Sequence, residues 1–149
     1  VMPTSFFADN KKSIVVGESS FVVYEGKDTP KATMTVELDK EVQQVFYDDE
    51  YLGFVLKNVG EEESELRLYN MNGEQKMSKT FVGEYSNISI SKGNIVMLDG
   101  KKCIIFSDWG VRKFDGEVEM NIKEILPLTG INMYLLVSND GMEEERLVK

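Results

Sequence analysis

The sequence predicts an all-β, β-propeller-like chain of four antiparallel meander units, and three observations predict it. An apolar strand recurs four times at a period of about 40 residues: Ser13-Ile14-Val15-Val16, Leu52-Gly53-Phe54-Val55, Asn94-Ile95-Val96-Met97 and Tyr134-Leu135-Leu136-Val137. Short β-forming runs flank each copy, separated by polar turns. Helical spacing is hard to find; the best candidate, Asp39 to Val45, is short and lacks an apolar stripe.

The second unit justifies the template. Val42 to Tyr47 alternates and is rich in β-formers, and Asp48-Asp49-Glu50 interrupts it as a turn. Tyr51 to Leu56 follows, almost wholly apolar, and an acidic connection runs from Val59 to Ser64. Glu65 to Tyr69 alternates again. Asn70-Met71-Asn72-Gly73 is a turn whose Asn-Gly pair signals a hairpin, and Gln75 to Phe81 closes the unit. In the first unit the strand slots are Ser5 to Ala8, Ser13 to Val16, Phe21 to Tyr24 and Ala32 to Val36. In the third they are Asn87 to Ile90, Asn94 to Leu98, Lys102 to Phe106 and Val111 to Phe114. The fourth holds Glu124 to Leu128, Met133 to Ser138 and Glu145 to Lys149, with no fourth strand. The units span 5–38, 42–82, 86–119 and 122–149 of one propeller-like domain.

The second strand of each unit is apolar on consecutive residues, which suits a strand covered on both faces. The expected core is Phe7, Phe46, Ile88 and Ile125 on the first strands, with Val15, Phe54, Val96 and Leu135 on the second. Four units close a ring only in the smallest propellers. The pattern therefore leaves two arrangements: a compact closure with Phe6 or Phe7 against the last unit, or half of a larger ring. Half a ring exposes the apolar faces of its terminal units, which would either associate as a homodimer or fray.

Charge and composition exclude several functions. The net charge is −9 and no basic cluster is present, so neither nucleic acid nor an anionic membrane surface is an expected partner. No stretch approaches the roughly 18 apolar residues of a membrane span, and the chain opens on Val1, as a trimmed segment would. With no histidine there is no Ser-His or Cys-His nucleophile pair. With one cysteine there is no zinc site of the usual ligands, and Cys103, inside an apolar strand, reads as a small buried hydrophobe. Carboxylate pairs are the catalytic chemistry that remains.

No residue is assigned a catalytic or metal-binding role. Two sets of turn residues are candidate binding residues. Asp48, Asp49 and Glu50 cluster oxygen atoms at one turn, and a polar hairpin turn accounts for them as well. Trp109 stands at a hairpin tip, in Ser107-Asp108-Trp109-Gly110, where it is either a contact residue or folded back on a neighbouring sheet. The Asn87-Ile88-Ser89 glycosylation pattern falls within a strand and reads as chance.

Three phrases carry a family likeness: Leu68-Tyr69-Asn70-Met71-Asn72-Gly73-Glu74, Tyr85-Ser86-Asn87-Ile88-Ser89-Ile90, and Phe106-Ser107-Asp108-Trp109-Gly110-Val111-Arg112-Lys113-Phe114. With the finish Glu144-Glu145-Arg146-Leu147-Val148-Lys149, they resemble the C-terminal half of family 5711 of domains of unknown function, found largely in clostridia and relatives. The resemblance implies a propeller outside a bacterial cell, held by an N-terminal membrane anchor in the full-length protein, with no assigned activity or catalytic residues. A broader likeness to quinoprotein-type propellers lacks their Ala-x-Asp-x-x-Thr-Gly and tryptophan docking features, so no quinone or other cofactor is expected. The expected function is a non-catalytic extracytoplasmic binding or sensor module for a protein, peptide or glycan. The alternative is a carboxylate-based hydrolase or lyase acting on carbohydrate. Two carboxylates converging in one pocket, one of them buried, would favour the alternative.

Overall fold

The computed structural model describes residues 11–26, 28–119 and 121–148, and the backbone of residues 4–7. Among these residues there are fifteen strands and no helix. They form four separate meander sheets. The first holds β1 (Thr4–Phe7), β2 (Lys12–Val16), β3 (Ser20–Glu25) and β4 (Lys31–Glu37). The second holds β5 (Val42–Tyr47), β6 (Tyr51–Leu56), β7 (Glu63–Asn70) and β8 (Gln75–Val82). The third holds β9 (Asn87–Ser91), β10 (Asn94–Asp99), β11 (Lys102–Ser107) and β12 (Arg112–Glu117). The fourth has three strands, β13 (Glu124–Pro127), β14 (Met133–Ser138) and β15 (Gly141–Arg146). Strands pair antiparallel with their sequence neighbours, and the four second strands lie in four different sheets. The chain divides into two compact units, Val1–Gly83 and Glu84–Lys149, each holding two sheets.

The last strand differs from the sequence expectation. It runs over Gly141–Arg146 and not Glu145 to Lys149; Lys149 lies outside the described residues. The Asn139-Asp140 turn fixes the register, pairing Ser138 with Gly141 and Leu136 with Glu143. Three consecutive glutamates read as a solvated connection, but an edge strand keeps half its side chains in water and tolerates them. Likewise β12 begins at Arg112, because Val111 belongs to the preceding turn.

In the first unit Ile14, Val16, Phe21 and Val23 of the first sheet pack against Leu52, Phe54, Leu56 and Tyr69 of the second. Three rings centre this core. Phe21 stacks on Phe54 at 5.3 Å, and Tyr69 meets Phe21 and Phe54 edge-on at 5.2 and 5.9 Å. On the other face of β6, the Phe46 ring lies directly over Gly53, where even a methyl group would collide with it. In the second unit Val96, Leu98, Cys103 and Ile105 pack against Ile125, Tyr134 and Leu136.

Burial corrects part of the expected core. Phe46, Phe54, Val96 and Ile125 are buried as expected. Val15, Leu135 and Ile88 are only half-buried, while Ile14, Val16, Tyr134, Leu136 and Ile90 are buried in their place. β6 and β10 are buried at five of six positions, whereas β2 and β14 alternate, so their odd-numbered residues face outward. An apolar run identifies a strand but cannot say which of its faces is covered. The side chains of Phe6 and Phe7, on which a compact closure would depend, lie outside those described.

Candidate functional site

Two assemblies of polar and apolar side chains are candidates, one in each unit. In the first unit the turn after β5 holds Asp48, Asp49 and Glu50. The Asp48 carboxylate accepts hydrogen bonds from the backbone N–H groups of Glu50 and Tyr51, both at 2.8 Å. The Asp48 N–H in turn donates to the Tyr51 carbonyl at 3.0 Å. One Asp48 oxygen therefore closes the hairpin, as short acidic side chains do in turns, while Asp49 and Glu50 stay exposed.

The same unit contains a charged network that the sequence reading missed. Arg67 on β7 donates from Nε to Glu65 at 2.7 Å, from one terminal nitrogen to Asp39 at 2.7 Å and from the other to the Tyr69 hydroxyl at 3.4 Å. The Ser78 hydroxyl donates to the same Glu65 oxygen at 2.7 Å. Lys40 lies 3.9 Å from the other Glu65 oxygen and 3.2 Å from Glu61. Glu65 and Arg67 are buried, 9% and 8% exposed. The signal was present in the pairing: Arg67 faces Phe54 and Glu65 faces Leu56 across β6. Charges opposite such residues lie on a covered face and must find partners.

The electrostatics follow from these contacts. Hydrogen bonding to Arg67 holds the Glu65 carboxyl below its ordinary range, against the opposing effect of burial and with help from Ser78. The Arg67 hydrogen bond likewise lowers Asp39. Burial works against the Arg67 charge, but the bonds to Glu65, Tyr69 and Asp39 outweigh it and raise its pKa. Two carboxylates thus converge, one of them buried, but on a guanidinium that keeps both ionised. A glycosidase acid needs a carboxyl held protonated near neutral pH, and this arrangement does the reverse. Among the described residues no three His, Cys, Asp or Glu side chains converge to hold a metal ion.

In the second unit Trp109 stands on the turn between β11 and β12, with 84% of its surface exposed. The turn is internally fixed. The Ser107 hydroxyl accepts the N–H groups of Trp109 and Val111 at 3.3 and 3.0 Å, and Gly110 adopts φ 90°. Ser107 exchanges further backbone bonds with Gly110 and Val111. A glycine accepts that left-handed conformation without a Cβ penalty. Beneath the turn lies Asn94, also missed from sequence. Its buried side chain accepts from the Lys113 ammonium at 2.8 Å and the Tyr134 hydroxyl at 3.5 Å, and donates to the Lys92 carbonyl at 3.1 Å. Cys103 is fully buried, and burial pushes its thiol up to about 12. It is inert packing, as expected.

The four meander sheets define an all-β, propeller-like protein. One similar solved structure is the crystal structure of HIRA(644-1017), with TM-score 0.63, 9% identity, and coverage of 93% of this chain and 48% of that one. Sqt1 from Saccharomyces cerevisiae matches with TM-score 0.59 and 8% identity, over 93% of this chain and 43% of that one. BBS1N, solved in complex with ARL6DN, matches with TM-score 0.58 and 9% identity, over 99% and 47%. At these identities the likeness concerns the fold, and this chain spans about half the length of each. No curated protein sequence matches it. The chain belongs to the family of unknown function DUF5711, whose pattern matches residues 1–147.

Proposed function

We propose that this chain is a non-catalytic interaction module that binds a protein through its turns. The observation that carries this reading is the presentation of Trp109, largely exposed, on a hairpin tip held by four hydrogen bonds within the turn. A rigid apolar side chain in water is costly to leave unpaired and cheap to bind with, since little freedom remains to be lost. The family has no assigned activity, and the converging carboxylates Asp39 and Glu65 are ion-paired to Arg67, which argues against carboxylate catalysis. The resemblance to membrane-anchored members supports display outside a bacterial cell.

A photo-crosslinking amino acid at position 109, with position 79 on the exposed β8 edge as control, tests the reading in the producing cell. A discrete protein adduct at 109 and none at 79 is expected. No adduct at 109, together with turnover of a polysaccharide by the purified chain, would overturn it. Protease treatment of intact cells tests the location: an epitope on the chain should be removed, and its protection would contradict display outside the cell.

A further inference from the structure

Trp109 is not alone at its end of the second unit. The Asp108 N–H donates to the Gly93 carbonyl at 3.0 Å, which ties the turn between β11 and β12 to the turn between β9 and β10. Asn94, at the start of β10, meets Lys113 near the start of β12 and Tyr134 near the start of β14. Lys113 also lies over the Tyr134 ring at 5.9 Å. The loop before β14 therefore shares this end. It is itself fixed: Arg146 donates to the Ile131 carbonyl at 2.8 Å, and the Leu147 N–H donates to the Asn132 carbonyl at 2.9 Å.

Two of the three loops at this end thus present large apolar side chains: Trp109 and Val111, at 59% exposure, on one, and Ile131, at 80%, on the other. The charge at this end opposes that of the whole chain. The segments 91–94, 107–113, 128–134 and 145–148 carry Lys92, Arg112, Lys113 and Arg146 against Asp108 and Glu145, in a chain of net charge −9. Arg112 is shared with exposed Asp115 at 3.2 Å. Lys92 is exposed and sits at φ 50°, where asparagine or glycine would be less strained.

We propose that this end of the second unit binds an acidic protein segment bearing aliphatic or aromatic side chains. The proposal rests on the interaction-module reading and gives it a partner chemistry. Apolar side chains of the segment would cover Trp109, Val111 and Ile131, while its carboxylates would face Lys92, Arg112 and Arg146. Aliphatic side chains from two of the three loops favour a peptide over a sugar, which would call for more polar partners around the indole.

A random peptide library selected on the whole chain supplies the probe. Enriched peptides should be acidic and apolar, and their binding should weaken as salt screens the charges. Trp109→Ala should weaken the best peptide by about ten-fold or more, and the K92Q/R112Q pair by a smaller factor, with unchanged circular dichroism. Basic peptides, or acidic ones indifferent to both variants, would overturn this site while leaving an interaction module elsewhere on the chain. A sulfated oligosaccharide or phosphatidylglycerol vesicles bound through Trp109 in place of any peptide would overturn the peptide assignment. No binding by any of these probes would count against both the site and the module.

Discussion

Removing Arg67 alone should destabilise the first unit strongly, and removing it together with Glu65 should not. Arg67→Met leaves the buried Glu65 charge without its guanidinium, and breaking a buried ion pair in this way costs about 3–5 kcal/mol. Ser78 still donates to Glu65 at 2.7 Å and Lys40 stays 3.9 Å away, which places the cost near the lower end, about 3 kcal/mol. Asp39 is largely exposed and relaxes into water, adding little. With a urea slope of about 2 kcal/mol per molar, the midpoint should fall by about 1.5 M. In E65L/R67M both charges go, and stability should return to within about 1 kcal/mol of the parent. The assay is urea unfolding by circular dichroism, with amide exchange on β7 to localise the effect to the first unit. The sign with pH follows from the lowered carboxyls. Glu65 and Asp39 titrate below their ordinary values of 4.5 and 3.8 in the folded state. Their contribution is present above those values and is lost as pH falls through the folded pKa values. The gap between the parent and R67M should therefore be widest near neutrality and narrow in acid. An R67M variant as stable as the parent, or a double variant worse than the single one, would refute the reasoning.

Three further outcomes are expected. Gly53→Ala should cost about 1–3 kcal/mol in thermal unfolding, because its methyl meets the Phe46 ring, and F46L should recover part of that loss; additive effects would contradict the contact. Cys103 should resist alkylation in the native chain at pH 8 and react only on unfolding, since its thiol lies near 12 in the buried site; rapid native labelling would contradict this. The outward face of β14, with Leu135 and Val137 half-buried, should give concentration-dependent association that Leu135→Asp abolishes; a strictly monomeric species in light scattering at high concentration would exclude it.

Periodicity makes the strands other than β15 legible, because they occupy β-forming runs between turn residues. Val42–Tyr47, Tyr51–Leu56 and Met133–Ser138 begin and end where their patterns do. β15 departs from the sequence expectation, since Glu143 to Glu145 carry no apolar signal and only the two-residue turn sets their register. The site was legible where a turn displays a large apolar residue, as at Trp109. Asp48 stands out in the sequence by its charge, yet its carboxylate serves the backbone of its own turn. For Arg67 the only signal is its place opposite Phe54 in the strand pairing, and no local pattern marks its partner Asp39 or the Tyr134 partner of Asn94, both distant in sequence. Alternation in β7 does not show that both of its faces are covered, which is what buries Glu65 and Arg67.

Nuclear magnetic resonance titration with the acidic peptide that binds best tests the central claim most directly. Amide shifts should move at residues 91–93, 107–112 and 129–132, the three loops at one end of the second unit, and the Trp109 indole signal should move with them. Shifts confined to strand faces, or to the Asp48–Glu50 turn with Trp109 unmoved, would contradict the account.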